Sequence, residues 1–359
     1  MQALLGVLFH FIGGFASGSF YIPYKKVQGW AWESYWIVGG LFSWFIVPPL
    51  AAYLTIPDFT SIIAHTNGGI LALTYFFGVL WGIGGLTYGL GVRYLGVSLG
   101  SSIILGISSV FGSLIPSIYY QFNPQAGKDS ISDLFTNTWG QMVLLGLLVC
   151  VIGIIVCGKA GSMKDRDLKN SGFIADDKTE FKIGLGLTVA IISGVLSACF
   201  AFGIDAGKVM AEEANELWKL ENPGQGEFLF QNNVTYVVIL LGGLTTNFIW
   251  CMLLNARNKT FGDYTNKKAP LLNNYIFSAI AGTTWFLQFF FYGMGESKLG
   301  NGPSSWILHM AFIILVANSW GLILKEWKGI SKQTLTTILS GILIIILSVL
   351  IVGYGNYLR

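Results

Sequence analysis

The sequence predicts an all-α integral membrane protein of ten transmembrane helices built as two inverted five-helix repeats, and three observations carry that reading. Of the 359 residues, 53% are hydrophobic and only 11% charged, too few polar groups to clothe a water-soluble globule of this size. Ten apolar stretches are long enough to cross a hydrocarbon core of about 30 Å as helices, the conformation that pairs its own backbone groups in lipid. The segment WGIGGLTYGLGVRYLG, residues 81–96, returns as a loose copy, WFLQFFFYGMGESKLG, at residues 285–300.

The spans read 2–22, 31–55, 69–92, 97–120, 139–158, 183–206, 232–254, 273–295, 304–324 and 334–354. The first is apolar and contains Ala16-Ser17-Gly18, as a cleaved leader would. Lys25 and Lys26 follow it instead of preceding it, so it is expected to remain as a helix. The second opens on Trp30, Trp32 and Trp36, an interfacial aromatic belt. The third and eighth hold the two quoted copies, which share Trp81 with Trp285, Tyr88 with Tyr292 and Gly89 with Gly293.

The other spans extend the match in the same order. Gly14, Ser17 and Phe20 of the first answer to Gly194, Ser197 and Phe200 of the sixth; Gly39-Gly40-Leu41 answers to Gly242-Gly243-Leu244. Leu95, Gly96 and Ser101 match Leu299, Gly300 and Ser305, and Gly146 and Gly158 match Gly341 and Gly353. Residues 209–231 form an insertion, expected as an external amphipathic loop. The domains are then residues 1–160, the first repeat; 161–182, a cytoplasmic linker; and 183–359, the second repeat. Five crossings are an odd number, so the second copy enters the membrane upside down, a construction common in secondary transporters.

Sixteen of the 21 Lys and Arg residues fall on one side of the predicted topology. By the positive-inside rule that side is cytoplasmic, which puts both termini outside. The net charge of +3 is too small to suggest nucleic acid. Lipid is the expected surrounding, and monomer and dimer are both open. Cys150, Cys157, Cys199 and Cys251 lie within predicted helices without metal-site spacing and read as small packing residues; no cofactor or metal is expected.

The segments FHFIGGFASGSFYIPYKKVQGWAWESYW, VLWGIGGLTYGLGVRYLGVSLG, WFLQFFFYGMGESKLG, SSWILHM and GLILKEWKG resemble the L-rhamnose/proton symporter family of the drug/metabolite transporter superfamily, nearly end to end. The resemblance implies a ten-helix carrier of the bacterial inner membrane that moves a sugar together with a proton. Asp205 and Glu296 are acidic where the family's pattern is neutral or imidazole. Sodium in place of the proton, and a deoxy sugar other than rhamnose, stay open. The alternatives are a metabolite or drug exporter of the same superfamily, and an intramembrane enzyme, for which the sequence offers neither HExxH nor paired acids at a membrane face.

A sugar needs flat apolar rings for its C–H faces and hydrogen-bonding groups for its hydroxyls. Trp81 and Trp285 sit at equivalent repeat positions and are expected to face one another; Tyr88, Asn247, Gln288 and Tyr292 are the candidate polar contacts. Packing and a buried interhelical bond are the competing accounts of the tryptophans and of Gln288. Proton coupling needs a group that titrates inside the membrane, where an ionised carboxylate costs about 2.5 to 3.5 kcal/mol on insertion scales. Glu33, in WAWESYWIVGG near Lys25 and Lys26, is the first candidate. His309 in SSWILHMAF is the second, and Asp205, with Lys208 three residues on, the third.

Overall fold

The computed structural model describes every residue except 1, 96, 126–127, 171–182 and 325–326. Within the described residues there is no strand, and ten helices are long and apolar enough to cross a membrane. They are α1 Gln2–Tyr24, α2 Trp32–Thr55, α3 Gly68–Leu95, α4 Gly100–Phe122, α5 Thr138–Asn170, α6 Gly184–Ala206, α7 Asn233–Asn258, α8 Leu271–Leu299, α9 Gly302–Ile323 and α10 Lys332–Tyr357. Each covers one of the expected spans but for at most three residues at an end. The main extension is α5, which continues to Asn170 through ten residues read as linker; residues 171–182 and Gly96 lie outside the described residues.

The chain divides into two compact units that do not follow the two halves of the sequence. One comprises residues 1–7, 84–201 and 299–359; the other comprises 8–83 and 202–298.

In the first unit α5 packs along α10. Val143, Leu147, Cys150, Ile154 and Cys157 meet Ile338, Ile345, Val349 and Val352, all buried. Cys150 and Cys157 are thus small core residues, and all four cysteines are free and buried. The side chain of Trp306 lies against Gly112 and donates from Nε1 to the Ser108 carbonyl at 2.9 Å, joining α9 to α4.

In the second unit glycine permits contacts of backbone on backbone. A Cβ on Gly282 of α8 would lie 2.0 Å from the carbonyl oxygen of Gly39 in α2, a distance no side chain tolerates. Ser43 closes the same crossing by donating to the Gly282 carbonyl at 2.9 Å. The second glycine of each Gly-Gly-Leu motif lies under an indole: Gly40 under Trp44, and Gly243 under Trp81.

The 209–231 insertion is mostly helical where a loop was expected. Lys208–Glu221 is a helix that buries Met210, Ala211 and Ala214 and exposes Glu212, Glu216 and Glu221. Its amphipathic pattern is real and has the helical period. Met210 and Ala214 join Ile56, Ile62, Phe228 and Val234 in a small apolar cluster, while Asn215 ties the return strand of chain by accepting from the Phe228 N–H at 2.8 Å.

Candidate functional site

The site is built around a break in α2. Phe42–Ile46 is a π-helical turn, and after Val47 come Pro48 and Pro49. Neither proline has an N–H to return to the preceding turn, so the ladder of hydrogen bonds widens ahead of them. Within the turn the Trp44 indole is 4% exposed and packed over Gly40.

Three tryptophans from three helices meet there. Trp44 of α2 lies 6.4 Å from Trp81 of α3 and 5.7 Å from Trp285 of α8, nearly perpendicular to both, and Trp81 and Trp285 are 5.6 Å apart at 40°. Edge-to-face and tilted arrangements of this kind are the favoured ones for aromatic rings. Trp36 extends the group, 6.1 Å from Trp44, and donates from Nε1 to Asn247 Oδ1 at 3.1 Å. Phe20, Tyr24, Trp36, Gly40, Ser43, Trp44 and Trp285 line a cavity of about 10 Å³, roughly the room one water needs. A pyranose enters this cleft only if the indoles part.

The polar candidates are distributed differently. Asn247, 4% exposed, orients Trp36 and donates to the Gly243 carbonyl one turn back at 2.9 Å. Gln288 is buried and donates to the Trp285 carbonyl of its own helix at 2.9 Å. Tyr292 is buried, with the His10 ring set edge-on at 5.2 Å and 68°; Gly295 leaves the space His10 occupies. Tyr88 belongs to the other unit, where it packs against the cluster of Leu95, Ile104 and Ala190 and hydrogen-bonds Ser101.

Of the acid–base candidates, Glu33 is 5% exposed in the first turn of α2. Its Oε1 accepts from Asn258 Nδ2 at 3.0 Å and from Thr260 Oγ1 at 2.8 Å. Asp205 is half-buried on the last turn of α6, and Glu296 accepts from Asn232 Nδ2 at 2.9 Å. His309 is 1% exposed in the first unit, its ring 6.1 Å from that of Trp306.

Sequence reasoning missed Trp44 as the centre of the cluster and Asn258, Thr260 and Asp263 as partners of the Glu33 region. The signal for Trp44 was the FSWFIVPP run, where paired prolines inside an apolar span announce a distorted turn. The partners of Glu33 left none, because an Asn or Thr in a polar connection does not reveal what it faces.

A family model described as L-rhamnose-proton symport protein (RhaT) matches residues 1–357. The L-rhamnose-proton symporter of Yersinia pestis is 37% identical over 358 residues, 98% of each chain. That of Mannheimia succiniciproducens is 36% identical over 357 residues, again 98% of each. The chain belongs to this family. The family is one of symporters, transporters and not enzymes, and with ten apolar spans this member is a multi-pass membrane protein.

Proposed function

We propose that the chain imports L-rhamnose together with a proton by alternating access, in a bacterial inner membrane with both termini outside. The family match over residues 1–357 is the observation that carries this reading. The cleft of Trp36, Trp44, Trp81 and Trp285 supports it chemically, because indole faces suit the C–H face of a deoxy sugar and exclude water from it. Trp81 and Trp285 bind the ring, and Asn247, Gln288 and Tyr292 position the walls or meet hydroxyls. The inverted repeat provides two halves that exchange conformations. The small cavity belongs to a closed state.

Glu33 carries the proton, with His309 and Asp205 as the lesser candidates. Protonation makes the side chain neutral, and a neutral group crosses a low-dielectric path at far smaller cost than a charged one. The ion is a proton and no cofactor takes part.

Uptake by liposomes containing the purified protein tests the reading. Rhamnose is expected to accumulate under an inward proton gradient and not under a sodium gradient alone. Accumulation of another sugar in preference, or driving by sodium, would replace the corresponding part.

A further inference from the structure

Glu33 stands at one end of a chain of oxygen atoms, buried at Glu33, Ser34 and Asn255 and half-buried at Thr260, that ends on a second, half-buried carboxylate. Thr260 Oγ1 lies 2.8 Å from Glu33 Oε1 and 3.0 Å from Asn255 Oδ1. Ser34 Oγ lies 3.2 Å from the same Asn255 Oδ1 and 2.8 Å from Asp263 Oδ2. The five residues bring together the start of α2, the end of α7 and the 3-10 turn Phe261–Thr265. Asn255 and Ser34 are both 0% exposed, so bulk water does not reach these two side chains.

The hydrogens in this chain can be counted. The Asn255 amide is oriented by its nitrogen, which donates to the Cys251 carbonyl at 2.9 Å and to Tyr264 Oη at 3.1 Å. Its Oδ1 therefore faces the two hydroxyls as an acceptor. A threonine and a serine hydroxyl bring one hydrogen each, against three acceptors, Glu33, Asn255 and Asp263. If the hydroxyls serve the two carboxylates, the buried Asn255 oxygen receives nothing from them. If either turns to Asn255, a 2.8 Å contact between hydroxyl and carboxylate oxygens is left without a hydrogen. Neither is a settled arrangement for buried polar atoms. One added proton, on either carboxylate, lets three hydrogens fill three of the four contacts and gives the Asn255 oxygen a hydrogen from a hydroxyl.

We infer that Glu33, Thr260, Asn255, Ser34 and Asp263 form a single proton-holding site in which one proton is shared between two carboxylates through two hydroxyls and an amide oxygen. This rests on the reading of Glu33 as the coupling residue and extends it to Asp263. The proton arrives from water on one side of the membrane, binds a carboxylate oxygen, and returns to water on the other; the hydroxyl hydrogens only turn to follow it. Other groups face the chain. The Asn258 amide and the Ala31 N–H donate to Glu33 and Asp263. Tyr35 and Cys251 lie within reach of the Glu33 charge, and Tyr264 flanks Asn255. Lys25 and Lys26 precede α2, and Arg257 and Lys259 bracket Asn258. Burial raises the Tyr264 phenol above its ordinary range, so it remains a phenol and does not substitute for the shared proton.

The test uses the full chain in liposomes, with infrared titration of the protonated carboxyl band read beside the pH profile of rhamnose accumulation. Glu33→Gln is expected to remove the band. In Asp263→Asn the midpoint falls about one pH unit, a tenfold loss of proton affinity, because a neighbouring negative charge no longer favours protonation. Ser34→Ala and Thr260→Val move it as well, whereas Thr260→Ser, which keeps the hydroxyl, leaves it in place and shows that the fold survives. The accumulation profile follows the band. If Asp263→Asn, Ser34→Ala and Thr260→Val all leave the midpoint unmoved while Glu33→Gln removes the band, Glu33 holds the proton alone and the shared site is overturned. If Glu33→Gln keeps both band and accumulation, the shared site and the Glu33 assignment fall together. A wild-type protein that carries no rhamnose would overturn the transport reading only, since the infrared titration still judges the site.

Discussion

The indoles of Trp81 and Trp285 lie 5.6 Å apart, tilted at 40°, although 204 residues of sequence separate them. Their pairing brings α3 and α8 together within one compact unit, with Trp44 standing edge-on to both.

If these rings receive the sugar, Trp81→Ala and Trp285→Ala each weaken rhamnose binding about tenfold or more, consistent with the scale of aromatic contacts plus lost burial. Trp327→Ala serves as the reference, its ring covered by the Lys164 ammonium at 4.8 Å in the other unit. Calorimetric titration of the purified protein reads all three. Unchanged binding in both cleft variants would make the two tryptophans packing residues.

Glu33→Gln is a neutral mimic of the protonated side chain. It is expected to abolish rhamnose accumulation against a gradient while leaving sugar binding and sugar-for-sugar exchange intact. Counterflow and gradient-driven uptake, measured on the same liposomes, separate the two. Loss of binding along with transport would instead make Glu33 a sugar ligand.

Gly282→Ala inserts a methyl group 2.0 Å from the Gly39 carbonyl oxygen. The helices must part to admit it, at about 1 to 3 kcal/mol by the usual cost of overpacking. Thermal unfolding in detergent should show a clear fall in midpoint. By contrast, Gly262→Ala lies where a Cβ meets nothing within 4 Å and should be near neutral.

The charge bias predicts which ends face the cytoplasm. In a background with the four buried cysteines replaced, Gly262→Cys is expected to react with an impermeant thiol reagent only from inside, and Pro223→Cys only from outside. Gly172→Cys, which lies outside the described residues, should behave like Gly262→Cys. Labelling in the opposite sense would reverse the orientation.

Outside the spans, the short helix Ile131–Thr136 begins with a capping box. Ser130 donates to Asp133 Oδ2 from both Oγ, at 2.7 Å, and N–H, at 2.8 Å. Those bonds, side chain first, hold the Asp133 carboxyl below its ordinary range. A carboxyl lowered in the folded state stabilises the fold above its unfolded value and loses that contribution as pH falls through the folded one. The stability difference between wild type and Ser130→Ala should therefore shrink as the medium is acidified below the carboxylate range. A difference unchanged by pH would remove Asp133 from the cap.

The solvent and the crossings were legible in the sequence because hydropathy is a local property: a run of twenty apolar residues has few places to go but lipid. The ten spans were found on that ground, and the five motif segments were enough to suggest the family. The amphipathic stretch after Gly207 was also read correctly in its pattern, though helix and loop could not be told apart before packing on Ile56 and Phe228 chose the helix.

What the tertiary structure decided is which residues share a site. Trp36 meets Asn247 across 211 residues, and Glu33 meets Asn258 and Thr260 across 225 and 227. Trp44 reaches the cluster from a π-turn ahead of two prolines, while Tyr88 and His309, chosen with equal reason from their motifs, belong to the other unit. Periodicity and composition carry information over a few turns of helix. Which faces meet depends instead on glycine crossings such as Gly39 on Gly282, where the absence of a side chain at both positions lets two distant segments touch, and only the folded chain brings them together.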